Sequence, residues 1–143
     1  ELLMRWLIPG LTWLLLAVSA QATSMQARLI RASQNERATD EQLADIAPKL
    51  KKVFGYDHYH QLGREQVVLK PDKRQLVNIG EGFTLFVRLK KQGQDSVDLH
   101  LEWYSGKAAI CKQVITLPKD EFIFIKGPGV GDDWIILALT ARE

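Results

Sequence analysis

Val97-Asp98-Leu99-His100-Leu101-Glu102-Trp103-Tyr104 is the stretch that decides the fold class. Apolar and polar residues alternate through all of it. That is the period of a strand with one buried and one solvated face. Outward from it the same period recurs. Phe83, Leu85, Val87 and Leu89 alternate with Thr84, Phe86, Arg88 and Lys90 on the N-terminal side, across Gln92-Gly93-Gln94-Asp95, which reads as a hairpin loop. On the C-terminal side Ser105-Gly106-Lys107 turns into a strand over 108–117, ended by Pro118-Lys119-Asp120. Strands over 66–70 and 75–79 are separated by Pro71-Asp72-Lys73, and Gly80-Glu81-Gly82 is a tight turn. Residues 122–126 and 134–140 complete the set, joined by a glycine-rich segment, 127–133, expected to be a hairpin with positive φ at its glycines. The last strand is apolar on both faces, which places it inside a sheet covered on both sides.

One segment has a different period. Leu43, Ile46, Ala47, Leu50, Val53 and Phe54 recur at helical spacing, so one amphipathic helix is expected over 40–54. Thr39 and Gln42 fit a capping box, and Gly55 fits the residue just past the end. Pro48 must kink the helix or split it into short turns. A short strand over 27–32 precedes it. The expectation is an α+β, β-rich domain: an N-terminal β-α-β element, then an antiparallel meander or small sandwich.

The chain has 143 residues, 46% of them hydrophobic and 25% charged, the composition of one globular domain. Its net charge of +2 is too small to point to nucleic acid. One cysteine excludes an intrachain disulfide and a multi-cysteine metal site. Residues 1–22 read as a secretory signal peptide. Met4-Arg5 is a positive start, 6–18 an uncharged apolar run, and Ala20-Gln21-Ala22 a small-x-small cleavage triplet. A bilayer-spanning helix needs about 20 apolar residues, so no stable membrane span is expected after cleavage. Met4 is the expected true start, and residues 23–143 the exported single domain. A retained leader acting as an anchor is the alternative.

Tyr56-Asp57-His58-Tyr59-His60 is the densest polar and aromatic cluster. On an extended chain His58 and His60 project to one side, and with Asp57 they are weak candidates for a divalent metal. No fuller ligand set accompanies them, so no metal and no cofactor is assigned. Tyr56, His58, Tyr59 and His60 are also a candidate small-ligand or glycan surface. The plain alternative is a helix-to-strand connector whose tyrosines pack on the core. Gly127-x-Gly129-x-Gly131 lacks the following helix that phosphate binding needs. Asp132-Asp133 reads as a solvated turn. Lys49, Lys51 and Lys52 read as a solvated helix end. Cys111 reads as a buried structural thiol, and Trp103 and Trp134 as core anchors. No nucleophile with its base is visible, so no catalytic residue is assigned and the domain is expected not to be an enzyme.

Residues 27–33, Leu43 to Tyr56 with Tyr59, Lys126-Gly127-Pro128-Gly129 and Trp134 to Leu139 together resemble a group of small, uncharacterised, signal-peptide-bearing bacterial exported proteins. The resemblance implies an exported single domain and brings no activity or site residues. More loosely, the C-terminal strand order is similar to the β-domain of secretins, without their pore-forming hairpins. The leading expectation is therefore a non-enzymatic periplasmic or cell-envelope domain acting in protein–protein interaction or assembly, with an exposed sheet edge as the candidate route and an envelope protein as partner. The alternatives are the ligand module at Tyr56–His60 and, third, a hydrolase-type enzyme.

Overall fold

The computed structural model describes residues 22–34 and 38–143. The leader expected over 1–22 lies, but for Ala22, outside the described residues. Eight strands follow in order: β1 (Ser24–Ser33), β2 (His58–Val68), β3 (Arg74–Gly80), β4 (Phe83–Gln92), β5 (Ser96–Ser105), β6 (Ala108–Pro118), β7 (Ile123–Val130) and β8 (Asp133–Arg142). Between β1 and β2 lie a 3-10 turn, Glu41–Leu43, and helix α1, Ala47–Phe54.

The strands form two four-stranded antiparallel sheets. Sheet A runs β2-β1-β8-β7 and sheet B runs β3-β4-β5-β6. Sheet B is a plain meander, set by the alternation and turns of 74–118. Sheet A brings the two ends of the chain together, with β1 pairing β8 from Ser24↔Arg142 to Ala32↔Trp134. The helical segment joins β1 to its antiparallel neighbour β2.

The main core lies between the sheets. Met25, Ala27 and Leu29 of β1 and Ile135, Leu137, Leu139 and Ala141 of β8 meet Leu85, Val87, Leu99, Leu101, Trp103 and Leu117 of sheet B. A second core lies on the other face of sheet A. There Ile30, Ala32, Ile136 and Ala138 are covered by Leu43, Ile46, Leu50 and Tyr59. Each fully buried aliphatic side chain contributes roughly 1.5–3 kcal/mol. Strand β8 is thus interior and buried on both faces, as its unbroken apolar run requires.

One expectation is resolved and two change. Of the two outcomes expected of Pro48, the helix over 40–54 is split. Pro48 lacks an N–H and fits only the first turn, so α1 starts at Ala47 and the preceding residues form a separate 3-10 turn. The capping box does not form. The Thr39 hydroxyl instead accepts the Tyr59 N–H at 3.2 Å, and Gln42 accepts from Gln61 at 2.8 Å. Gly55 does end α1, at φ 78° with its N–H on Lys51 O. The glycine-rich hairpin is also different. Only Gly131 has positive φ there, and Gly127 to Val130 belong to β7. Gly127 is needed for space, because a Cβ there would lie 2.3 Å from Trp103 Cη2. Gly63 is tighter still. A Cβ there would lie 1.7 Å from the Ile79 carbonyl oxygen, where β2 passes β3.

Gly127→Ala is expected to cost about 1–3 kcal/mol, as other overpacked cores do. Gly63→Ala is expected to cost more, because the obstacle is backbone. Urea unfolding of both variants tests this ordering, and an equal or smaller loss for Gly63→Ala would contradict it.

Candidate functional site

The Tyr56–His60 cluster is a strand start rather than a loop. His58 opens β2, and the pairings Ser33↔His58, Ala32↔Tyr59 and Arg31↔His60 fix its register. Alternation then divides the cluster between two faces of sheet A. Tyr59 is fully buried under α1 and donates to Leu50 O at 2.9 Å. Burial pushes its phenol pKa up. Tyr56 packs, half-buried, against the same second core. His58 and His60 share the opposite face, as expected from their spacing. His60 Nδ1 lies 3.3 Å from Asp40 Oδ1, while Asp57 faces Lys51 at 3.8 Å. Among the described residues, no three His, Cys, Asp or Glu side chains gather as ligands.

Two ion pairs and one carboxylate–imidazole contact hold this end of the molecule, and none is legible in the sequence. Arg28 is only 2% exposed and donates two hydrogen bonds to Asp45, at 2.9 and 2.7 Å. Its guanidinium also lies 5.0 Å from the Phe122 ring centroid. Arg31 donates to Asp133 at 2.7 Å. Asp133 is therefore a buried carboxylate and not a solvated turn residue; Asp132 beside it is exposed. Asp40 accepts the Gln61 N–H at 2.9 Å and faces His60. The partners hold all three carboxyls below the usual range. The cause is the Gln61 N–H first for Asp40, Arg28 for Asp45 and Arg31 for Asp133. The carboxylates are all paired, although Arg28 Nε and His60 Nε2 are buried without a hydrogen-bond partner among the described residues, and the arrangement pins the helical segment and the β7–β8 turn to β1.

The outer face of sheet B is open. Arg74 stacks on Phe86 at 3.6 Å, and Phe86 meets Tyr104 edge-on at 5.7 Å. Glu102 accepts from Arg74 at 3.1 Å and from the Tyr104 hydroxyl at 2.7 Å, which lowers its pKa. Lys112 lies 3.9 Å away. Glu102 thus ties the aromatic and basic groups into one closed network. His100 is exposed here, as its place on the polar side of β5 predicts. Leu76 and Val114 stand 61% and 62% exposed on the same face.

The four sheet edges differ. Strand β2 is covered by Thr39 to Gln42 at one end, bulges at Leu62, and is crossed by β3. Strand β3 is short, and Gln75 turns its side chain onto Lys70 N and Val68 O. Strand β7 is broken by a bulge between Lys126 and Gly129 that contains Pro128. Strand β6 has its bulge at Ile110, then pairs without interruption from Cys111 to Pro118. Lys112 is the only charge in that run. Among the described residues, no backbone hydrogen bond reaches its outer side between Ala108 and Leu117. Cys111 lies on this strand, half-buried, and burial pushes its thiol pKa up. Trp103 is a core anchor, whereas Trp134 is half-buried under Lys126 at 4.0 Å.

No family model, curated protein or solved structure matches the chain. Among the described residues no helix is long and apolar enough to cross a membrane.

The lowered carboxyls give a pH dependence with a definite sign. Their folded pKa values lie below the unfolded ones, near 4. The unfolded chain therefore takes up protons first as pH falls. Stability is full above about pH 5 and is lost as pH drops through the folded values. Asp45→Asn is expected to lower stability at pH 7 by about 1–2 kcal/mol and to flatten the acid decline. Urea midpoints from pH 7 to 3 measure both. An acid decline as steep as that of the parent would remove Asp45 from this account.

Proposed function

We propose that this protein is a non-enzymatic, exported domain of the bacterial cell envelope that works by protein–protein interaction, receiving a partner strand along β6. The observation that carries this reading is the contrast among the edges. Folded sheets protect their edges with bulges, prolines, charges or covering chain, because a bare ladder pairs with other strands. Strands β2, β3 and β7 carry such protection. Strand β6 has eight continuously paired positions, Cys111 to Pro118, a single charge and a bare outer ladder. Strand addition uses main-chain hydrogen bonds for affinity and alternate side chains for specificity. Beside the ladder, Ile123, Ile125 and Cys111 are only partly buried at the rim of the core. An added strand with alternating apolar residues would cover that rim. The Tyr56–His60 cluster supports the ligand reading less well, because alternation sends its buried tyrosine and its histidines to opposite faces.

Export rests on the sequence of the leader. Residues 4–22 fused to a leaderless alkaline phosphatase are expected to give periplasmic activity in a bacterial host; an inactive cytoplasmic fusion would end that part of the proposal.

The edge is tested in the native host with a photoreactive benzoylphenylalanine in place of Thr116, and, as controls, of Lys52 or Val130. Illumination is expected to give one discrete protein adduct from position 116 and none from the controls. Adducts from the controls with none from 116 would overturn β6 as the interaction edge.

A further inference from the structure

We infer that the strand received by β6 is β6 of a second copy of this chain, paired antiparallel about a two-fold axis at Val114. The inference rests on the β6 reading above and names its occupant. A two-fold interface is isologous, so the strand must be complementary to itself. In an antiparallel pair each residue faces its opposite number on the same face of the sheet. With Val114 on the axis, Val114 faces Val114 of its partner, and the most exposed apolar side chain of this edge becomes covered. Lys112 then faces Thr116. On the core side Gln113 faces Ile115, and Cys111 faces Leu117.

Charge and the mutual cover of the exposed Val114 together favour this register. Lys112 is the only charge between Ala108 and Leu117, and like charges placed opposite one another are destabilising. An axis at Lys112 would set the two ammonium groups face to face. The axis at Val114 separates the two Lys112 positions by four residues along the strand, roughly 13 Å. It also supplies an opposite charge. Thr116 donates to Asp98 at 2.8 Å on the neighbouring strand β5. Lys112 of the partner copy would extend that row beyond Thr116, while still beside its own Glu102, 3.9 Å away. An axis at Thr116 pushes the pairing past Pro118, which has no N–H to give to the ladder. The axis at Val114 pairs all of Cys111 to Leu117 and makes one eight-stranded sheet from two copies of sheet B.

Sedimentation of the purified protein across about 1–200 μM, well around the micromolar affinities of modest interfaces, tests this. The expected mass is that of two chains at the upper end. Val114→Lys puts two ammonium groups on the axis and is expected to give the mass of one chain with an unchanged circular dichroism spectrum. A second test does not depend on that variant folding. In a Cys111→Ala background, Val114→Cys brings two thiols within the range of a disulfide, because directly opposed Cα atoms lie about 4.5–5.5 Å apart. Oxidation is expected to link the two copies. Lys112→Cys in the same background is expected to stay unlinked, whereas a mixture of Lys112→Cys and Thr116→Cys chains is expected to form the mixed dimer. A single-chain mass throughout, a two-chain mass that survives Val114→Lys, or equal linkage of Lys112→Cys and Val114→Cys would overturn self-pairing. A monomer whose position 116 photo-crosslinks to a different protein overturns the inference and leaves strand addition at β6 standing. The absence of any adduct from 116 removes both.

Discussion

Burial of the two central strands of sheet A on both faces is the constraint on which the structure depends. Strands β1 and β8 come from opposite ends of the described chain, and their pairing closes the fold. One face of the pair is covered by sheet B. The other would be left wet without the short segment between β1 and β2. Leu43, Ile46 and Leu50 provide that cover, and Tyr59 fastens it by donating to the Leu50 carbonyl. Arg28 stands under the same cover. A buried guanidinium is costly unless paired, so Asp45 is held where it can accept both of its hydrogen bonds. The helical segment thus positions a charge as well as an apolar stripe.

Covering sheet A in this way also sets where the molecule is guarded. The chain that reaches the helical segment and returns from it runs along β2, and the backbone of Asp40 donates to Tyr59 O there. The β7–β8 turn is anchored by Asp133 on Arg31. On the far side of sheet B, among the described residues, no backbone hydrogen bond reaches the outer side of β6 between Ala108 and Leu117. Strand β6 ends a meander, and the chain leaves it for β7 without folding back over its outer ladder. An open edge is thus a by-product of topology that function can use.

Much of the strand content was legible before the fold was known. Alternation located the strands from Arg74 onward to within a few residues, and the doubly apolar 134–140 correctly announced an interior strand. Two local readings failed for identifiable reasons. The Thr39 hydroxyl, in the segment before the 3-10 turn, accepts the Tyr59 N–H of β2 instead of a helix N–H, so the capping motif went unused. Gly127 is small because the Trp103 indole of β5, 24 positions earlier in the chain, packs over it in space, a demand that the local turn pattern does not contain. The Tyr56–His60 cluster was conspicuous by composition, yet strand alternation splits it. The ion pairs were invisible, because Arg31 and Asp133 are 102 residues apart.

The sequence by itself determined periodicity, hence which residues point inward, and it supplied the apolar leader-like start and the solitary cysteine. It determined these because side-chain alternation is a local property, written every two residues. Only the tertiary structure decided which strands are interior and which are edges, and which edge stays bare. A backbone N–H or C=O has the same chemistry in every strand. Whether it is paired or shielded depends on what the rest of the chain lays beside it, and that separates the unbulged run from Cys111 to Pro118 from the covered, short or bulged edges of β2, β3 and β7.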